Sequence, residues 1–203
     1  MEPVLPNGLE NELADIAAEP QEAVGFGLKA YLPYEPTGAE GLMNSDDPAV
    51  TARLLAEAEG KGDTTYRLAV LHVLGRRTDI TVDAALIQLL DDDVLRATAA
   101  YLLGRVGYKG YLPRERNVAA VQAALSSHLE DGTLFADPFY KRTFRTQDFV
   151  IGAYVRITGP GQFSFEDAYQ GEIIGLGLPS FSEDERKNLI KQIATIKSVS
   201  SAQ

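Results

Sequence analysis

Residues 66–77, which read Tyr-Arg-Leu-Ala-Val-Leu-His-Val-Leu-Gly-Arg-Arg, return 29 positions later as residues 95–106, Leu-Arg-Ala-Thr-Ala-Ala-Tyr-Leu-Leu-Gly-Arg-Val. Self-similarity at a period of this size is the mark of stacked supersecondary units, each too small to bury its own apolar face. The segments just before them repeat as well, because Val50, Ala52, Leu54 and Leu55 correspond to Val82, Ala84, Leu86 and Ile87 at an offset of 32. The second segments match at 29 and the first at 32, so the three-residue difference lies in the connector at 60–63. A stack of helix pairs tolerates an insertion there, since both helical faces stay in phase.

Charge and composition narrow the kinds of partner. The chain carries a formal charge of −10, and residues 1–63 account for it, with thirteen Asp and Glu against Lys29, Arg53 and Lys61, whereas residues 64–203 balance. A nucleic-acid binder needs a basic face to displace counterions from phosphates, so this distribution argues against one and suits a basic protein partner. The chain contains no cysteine, which removes disulfides, thiolate metal sites and thiol nucleophiles. No stretch has the roughly 18 apolar residues of a membrane span, and the amino terminus lacks the basic-then-apolar layout of a secretion signal, so a cytoplasmic location is expected.

Local signals predict an all-α chain. Two short helices, about 9–18 and 21–32, end before Pro20 and Pro33, and a loop rich in proline and glycine follows over 33–45, held down by Tyr31, Tyr34, Leu42 and Met43. Asp47 followed by Pro48 places an N-cap acceptor before a residue whose missing N–H costs nothing at the first helical position, predicting a helix to about residue 59. Gly60 closes it in the left-handed conformation, and Asp63 caps a second helix over 64–76. In the next unit Val82, Ala85, Leu86, Leu89 and Leu90 form one apolar stripe, and Asp91, Asp92 and Asp93 cap a helix over 93–106 that Gly107 ends. A third unit pairs the stripe Val118, Val121, Leu125 and Leu129 with a helix over 148–158, across an insertion at 131–147 in which Asp137 and Pro138 start an extra helical turn. Ser182 and Glu185 form a capping box for a last helix bearing Leu189, Ile190, Ile193 and Ile196 on one face.

The run Leu95-Arg96-Ala97-Thr98-Ala99-Ala100-Tyr101-Leu102-Leu103-Gly104-Arg105-Val106-Gly107 resembles the short HEAT-like repeats of the phycobilin-lyase type. The resemblance is good over 66–107, partial over 47–159 and absent at both ends. It implies an α-α superhelix: a single domain over 1–203, with an N-terminal helical cap and loop at 1–44, about three helix pairs at 45–160, and C-terminal capping helices at 161–203. Proteins of this kind are mostly scaffolds and binding surfaces, and they include phycobilin lyase subunits, alkylpurine DNA glycosylases and iron-dependent hydroxylases. The hydroxylase type implies repeated His-Glu pairs, and neither His72 nor His128 precedes a glutamate. The glycosylase type implies a basic groove with aromatics, which an acidic chain without tryptophan does not offer.

Within the repeat, Arg67 and Arg96 occupy one register, read either as an anion-binding ladder or as partners of neighbouring acidic caps such as Asp63, Asp92 or Asp93. Gly75 and Gly104 allow close helix packing. His72 and Arg76, with their equivalents Tyr101 and Arg105, share one helix edge, and in a HEAT-like stack that edge lines the concave face. These four residues are the expected partner-binding stripe. The insertion supplies a second candidate contact in Phe139, Tyr140, Arg142 and Arg145, beside Phe135, Lys141 and Phe144, whose aromatics alternatively fold beneath the third unit.

The expected function is a non-catalytic protein-interaction module that uses its concave face and acidic N-terminal surface, in its sharper form an inhibitor or immunity protein of a basic partner. No catalytic residue, cofactor or metal is expected, and no nucleic acid or membrane. Alternatives are a phycobilin-lyase-like or chaperone-like subunit holding a chromophore or substrate protein, and a phage or virion component. The span from Arg105 to Arg145 holds seven Lys and Arg against four Asp and Glu, opposite in sign to the amino-terminal third, and this suggests homo-oligomers formed head to tail.

Overall fold

In the computed structural model the described residues are 8–18, 38–107, 113–137, 142–173 and 178–200. They are mostly helical, with α1 (Leu9–Ala18), α2 (Glu40–Asn44), α3 (Pro48–Glu59), α4 (Thr64–Arg76), α5 (Val82–Gln88), α6 (Arg96–Leu103), α7 (Val118–Ser126), α8 (Thr146–Thr158), α9 (Gln170–Ile173) and α10 (Glu183–Ser200). One antiparallel pair of strands, β1 (Leu134–Asp137) and β2 (Arg142–Arg145), precedes α8.

Three helix pairs pack side by side: α3 on α4, α5 on α6 and α7 on α8. The first helices also touch in order, α3 to α5 to α7, as do the second helices, α4 to α6 to α8, giving two layers. At one end α1 and α2 lie against α4, and at the other α9 and α10 lie against α8. The two repeat glycines explain how closely the second helices approach. A Cβ on Gly75 would stand 2.7 Å from the Leu102 side chain, and one on Gly104 would stand 2.8 Å from the Ala153 backbone. Leu102 and Ala153 hold the same place in their helices, so the same contact is made twice.

The caps follow the chemistry of the sequence. Asp47 accepts from the Ala49 N–H at 2.9 Å, Asp63 from Thr65 at 2.9 Å, and Ser182 Oγ from Glu185 at 3.1 Å. Leu189 and Ile193 are fully buried beneath α10. Several expectations need correction. The 33–45 loop contains α2, because Glu12 reaches across 30 residues of sequence to accept from the Leu42 N–H at 2.8 Å and the Gly41 N–H at 3.2 Å, capping a helix start that has no local acceptor. Gly60 has φ −59°, so the left-handed closure belongs to Gly107, at φ 77°, and not to it. The helix expected over 93–106 is shorter, since Asp92 turns the chain through Val94 and Leu95 before α6 begins. In the insertion, alternating Phe135 and Phe144 sit opposite each other in the strand pair and pack on Phe149 of α8, with ring centroids 5.4 and 5.8 Å away. The predicted helix at 21–32, the tacking residues Tyr31 and Tyr34, and the turn after Pro138 lie outside the described residues.

The connection between α4 and α5 is held by a buried ion pair. Arg77, 0 % exposed, donates from Nη2 to the Asp47 carbonyl at 2.9 Å, from Nη1 to the Leu42 carbonyl and from Nε to Thr51 at 2.9 Å, and it pairs with Asp79 at 2.9 Å. Burial pushes the Asp79 carboxyl up, yet the Thr51 and Thr81 hydroxyls and the Arg77 charge outweigh it and hold the group below its ordinary value. Removing one member leaves the other charged and buried, so Arg77→Ala is expected to cost about 3–5 kcal/mol in urea denaturation. Gly104→Ala is expected to cost about 1–3 kcal/mol by overpacking against Ala153. Losses near zero in both would show that neither contact sets the helix spacing.

Candidate interaction surface

The expected concave stripe is not on the surface. His72, Arg76, Tyr101 and Arg105 are buried, Arg105 completely. The reason is tertiary. Residues 69–76 of α4 are buried all round, because α6 flanks the helix on one side while α1, α2 and α3 pack on others. Arg105 stacks on Tyr101, its guanidinium carbon 4.4 Å from the ring centroid, and Tyr101 also meets Phe149 at 6.2 Å. Burial pushes the His72 imidazole down to about 4, and the Arg76 charge adds to the shift.

The second expected contact is divided. Phe139 and Tyr140 lie outside the described residues, and so does the side chain of Arg142. Arg145 donates to the Gly132 carbonyl at 3.2 Å, tying the strand pair to the preceding turn. Phe144 is in the core and Phe135 packs against it, as in the reading that folds these aromatics beneath the third unit.

Arg67 and Arg96 each bind a carboxylate of the following unit, and Arg96 also binds one of its own. Arg67 pairs with Asp92 and donates to the Ala58 carbonyl at 2.7 Å; Arg96 pairs with Asp131 at 2.5 Å and Asp93 at 2.8 Å and donates to the Leu90 carbonyl. Asp63 caps its own helix and takes no part. Gln147 stands in the equivalent place in the third unit and donates to the Leu129 carbonyl, so it keeps the carbonyl bond and lacks the charge for a further carboxylate. A second cluster was not legible from sequence. Asp83 receives Arg114 from Nη2 at 2.6 Å and Arg116 from Nε at 2.8 Å, while Arg114 also donates to the carbonyls of Gly75 and Arg77 and Arg116 to that of Leu103. One carboxylate and three helix-terminal carbonyls thus balance two guanidiniums. Arg105, from the same basic stretch, is buried as well.

What faces outward is α7. Its nine residues, Val-Ala-Ala-Val-Gln-Ala-Ala-Leu-Ser, carry no charge. Val121 and Leu125 enter the core as expected, but Val118 is 40 % exposed and Ala119, Ala120 and Ala123 are exposed beside it. A depression of about 450 Å³ runs along one side of this ridge, between α5 and α7, lined by Ile80, Ala84, Ile87, Ala120 and Val121 together with Asp83, Glu115, Arg116 and Asn117. Ile80 is 71 % exposed at its edge. On the other side a depression of about 370 Å³ opens between α7, α8 and α10, lined by Ala119, Ala123, Tyr154, Ile157 and Ile196 among others. An exposed helix is ordinarily polar on its outer face, and this one is uncharged and lies between two depressions of mixed apolar and polar lining. Among the described residues no three His, Asp or Glu side chains converge as a metal site requires, and no helix is long and apolar enough to cross a membrane.

The chain matches no family model, no curated protein and no solved structure.

Because the folded pKa of His72 lies below its unfolded value, the stability of the neutral buried imidazole is complete above about pH 6.5 and is lost as pH falls toward 4. Comparison of wild type with His72→Gln by urea denaturation at pH 7.5 and pH 4.5 should show wild type losing on the order of 2–3 kcal/mol more than the variant. An equal loss in both proteins would mean that His72 is not the titrating group.

Proposed function

We propose that this chain is a non-catalytic protein-interaction module, a short HEAT-like superhelical array that binds a protein partner on the outer face of α7. The observation that carries the reading is the exposed, uncharged ridge of Val118, Ala119, Ala120 and Ala123 between two partly apolar depressions. Small side chains let a partner backbone approach closely, and the flanking depressions give its larger side chains somewhere to enter. The site is therefore on the first layer of helices and not on the second, whose stripe is occupied by the core. In its sharper form the module inhibits a basic partner, a form supported by the −10 charge.

A photo-activated cross-linking residue placed at Ala119 or Ala123 tests this in cells that make the protein natively. A discrete adduct with another protein is expected from both positions and not from Asp184, an exposed residue on α10. Adducts of equal strength from Asp184, or none from α7, would overturn the reading, and an adduct of twice the chain mass would replace it with self-assembly.

A further inference from the structure

We infer that the depression between α5 and α7 receives an amphipathic helix whose amino-terminal end is cationic. This rests on the docking role of α7 and names the class of partner. The two walls run parallel. At one end Asp83, in the first turn of α5, meets Arg116 just before α7 at 2.8 Å, and at the other His128 Nε2, just after α7, lies 3.6 Å from Asp91 Oδ1, just after α5. The end of α3 is level with them, since Gln88 donates to Glu59 at 2.5 Å. The apolar lining of the depression is Ile80, Ala84, Ile87, Ala120 and Val121. Ten residues of helix span about 15 Å, so α5 with its following turn accommodates about three turns of a partner helix.

The ends of this channel differ in charge. At the Ile80 end the guanidiniums of Arg114 and Arg116 are bound to Asp83 and to carbonyls, with Glu115 at the rim. The opposite end opens onto the turns that close α3, α5 and α7, which carry Glu59, Asp63, Asp91, Asp92, Asp93, Glu130 and Asp131 against a single Lys61. Arg67 and Arg96 reach Asp92, Asp93 and Asp131 from beneath, and the outward carboxylates stay in solvent, Asp91 87 % and Asp93 86 % exposed, with Glu59 and Glu130 exposed nearby. Carboxylates at the carboxyl ends of helices add to the negative end of each helix dipole. A helix entering with its amino terminus toward these turns brings the opposite dipole end, and basic residues in its first turns complete the match.

A second copy of the chain is a poor occupant. Among the described helices α1 and α10 open with acids, α2 opens with Glu40, and the arginines near the starts of α4 and α6 are engaged within the fold. On the described helices, a different protein is the better source of the complementary end.

Two synthetic helical peptides with the same leucine stripe, one bearing Lys in its first two turns and the other Glu, serve as probes of the full-length chain by fluorescence anisotropy. The Lys peptide is expected to bind at least about ten-fold more tightly at low salt, with the advantage disappearing near 0.5 M salt. Asp91→Asn with Glu130→Gln should remove that advantage, and Ala120→Gln, a solvent-facing change, should weaken both peptides about ten-fold; thermal melting checks that each variant is folded. Equal affinity for the two peptides, both weakened by Ala120→Gln, would overturn the cationic assignment and leave the docking face standing. If neither peptide binds, or if binding ignores Ala120→Gln, both the inference and the docking face fall.

Discussion

Helix carbonyls that end inside a protein need donors, and in this chain arginine supplies several of them. Arg67 serves Ala58, Arg96 serves Leu90 and Asp91, Arg77 serves Leu42, Arg114 serves Gly75 and Arg77, Arg116 serves Leu103 and Arg156 serves Ile173. A guanidinium carries five donors in a fixed fork, so one side chain can satisfy a carbonyl of one element and a carboxylate of another. Short helices joined by tight turns expose many such carbonyls in little space, and each arginine that answers one also fixes the position of the next unit.

This use of arginine determines where the charge of the molecule appears. The described arginines largely point inward to carbonyls and to Asp79, Asp83, Asp92, Asp131 and Asp148, and the carboxylates left over face solvent. Apart from the acidity that a count of residues places in the amino-terminal third, a row of carboxylates lies along the turns that close α3, α5 and α7, with Glu59 and Asp63 from that third and Asp91, Asp92, Asp93, Glu130 and Asp131 from the formally neutral part of the chain. Set beside the uncharged face of α7, that edge is the basis for the proposed cationic partner.

Much of the frame was legible because it rests on local chemistry. Asp47-Pro48, Asp63 and Ser182 announce helix starts through a side-chain acceptor two or three residues from an orphan N–H, and the 29-residue echo announces equal neighbours. The places where reading the sequence failed involve distant partners. Nothing near Gly41 indicates that Glu12 caps α2, and nothing near Asp83 indicates that Arg114 and Arg116 will close on it. The phenylalanines at 135 and 144 suit either a loop or a strand pair, and the choice came from Phe149 on a different element.

The candidate surface divides in the same way. Sequence alone determined that 72, 76, 101 and 105 share a helix edge, since 3.6 residues per turn fixes that, and that α7 lacks charge over nine residues. Which of these edges meets solvent was decided by the tertiary structure. Helices α1, α2 and α3 pack around α4, so a stripe with polar members is enclosed, while no further helix among the described residues covers α7, so an apolar one is left outside. Periodicity fixes the angle between side chains on one helix; only the neighbours of that helix fix which angle points to water.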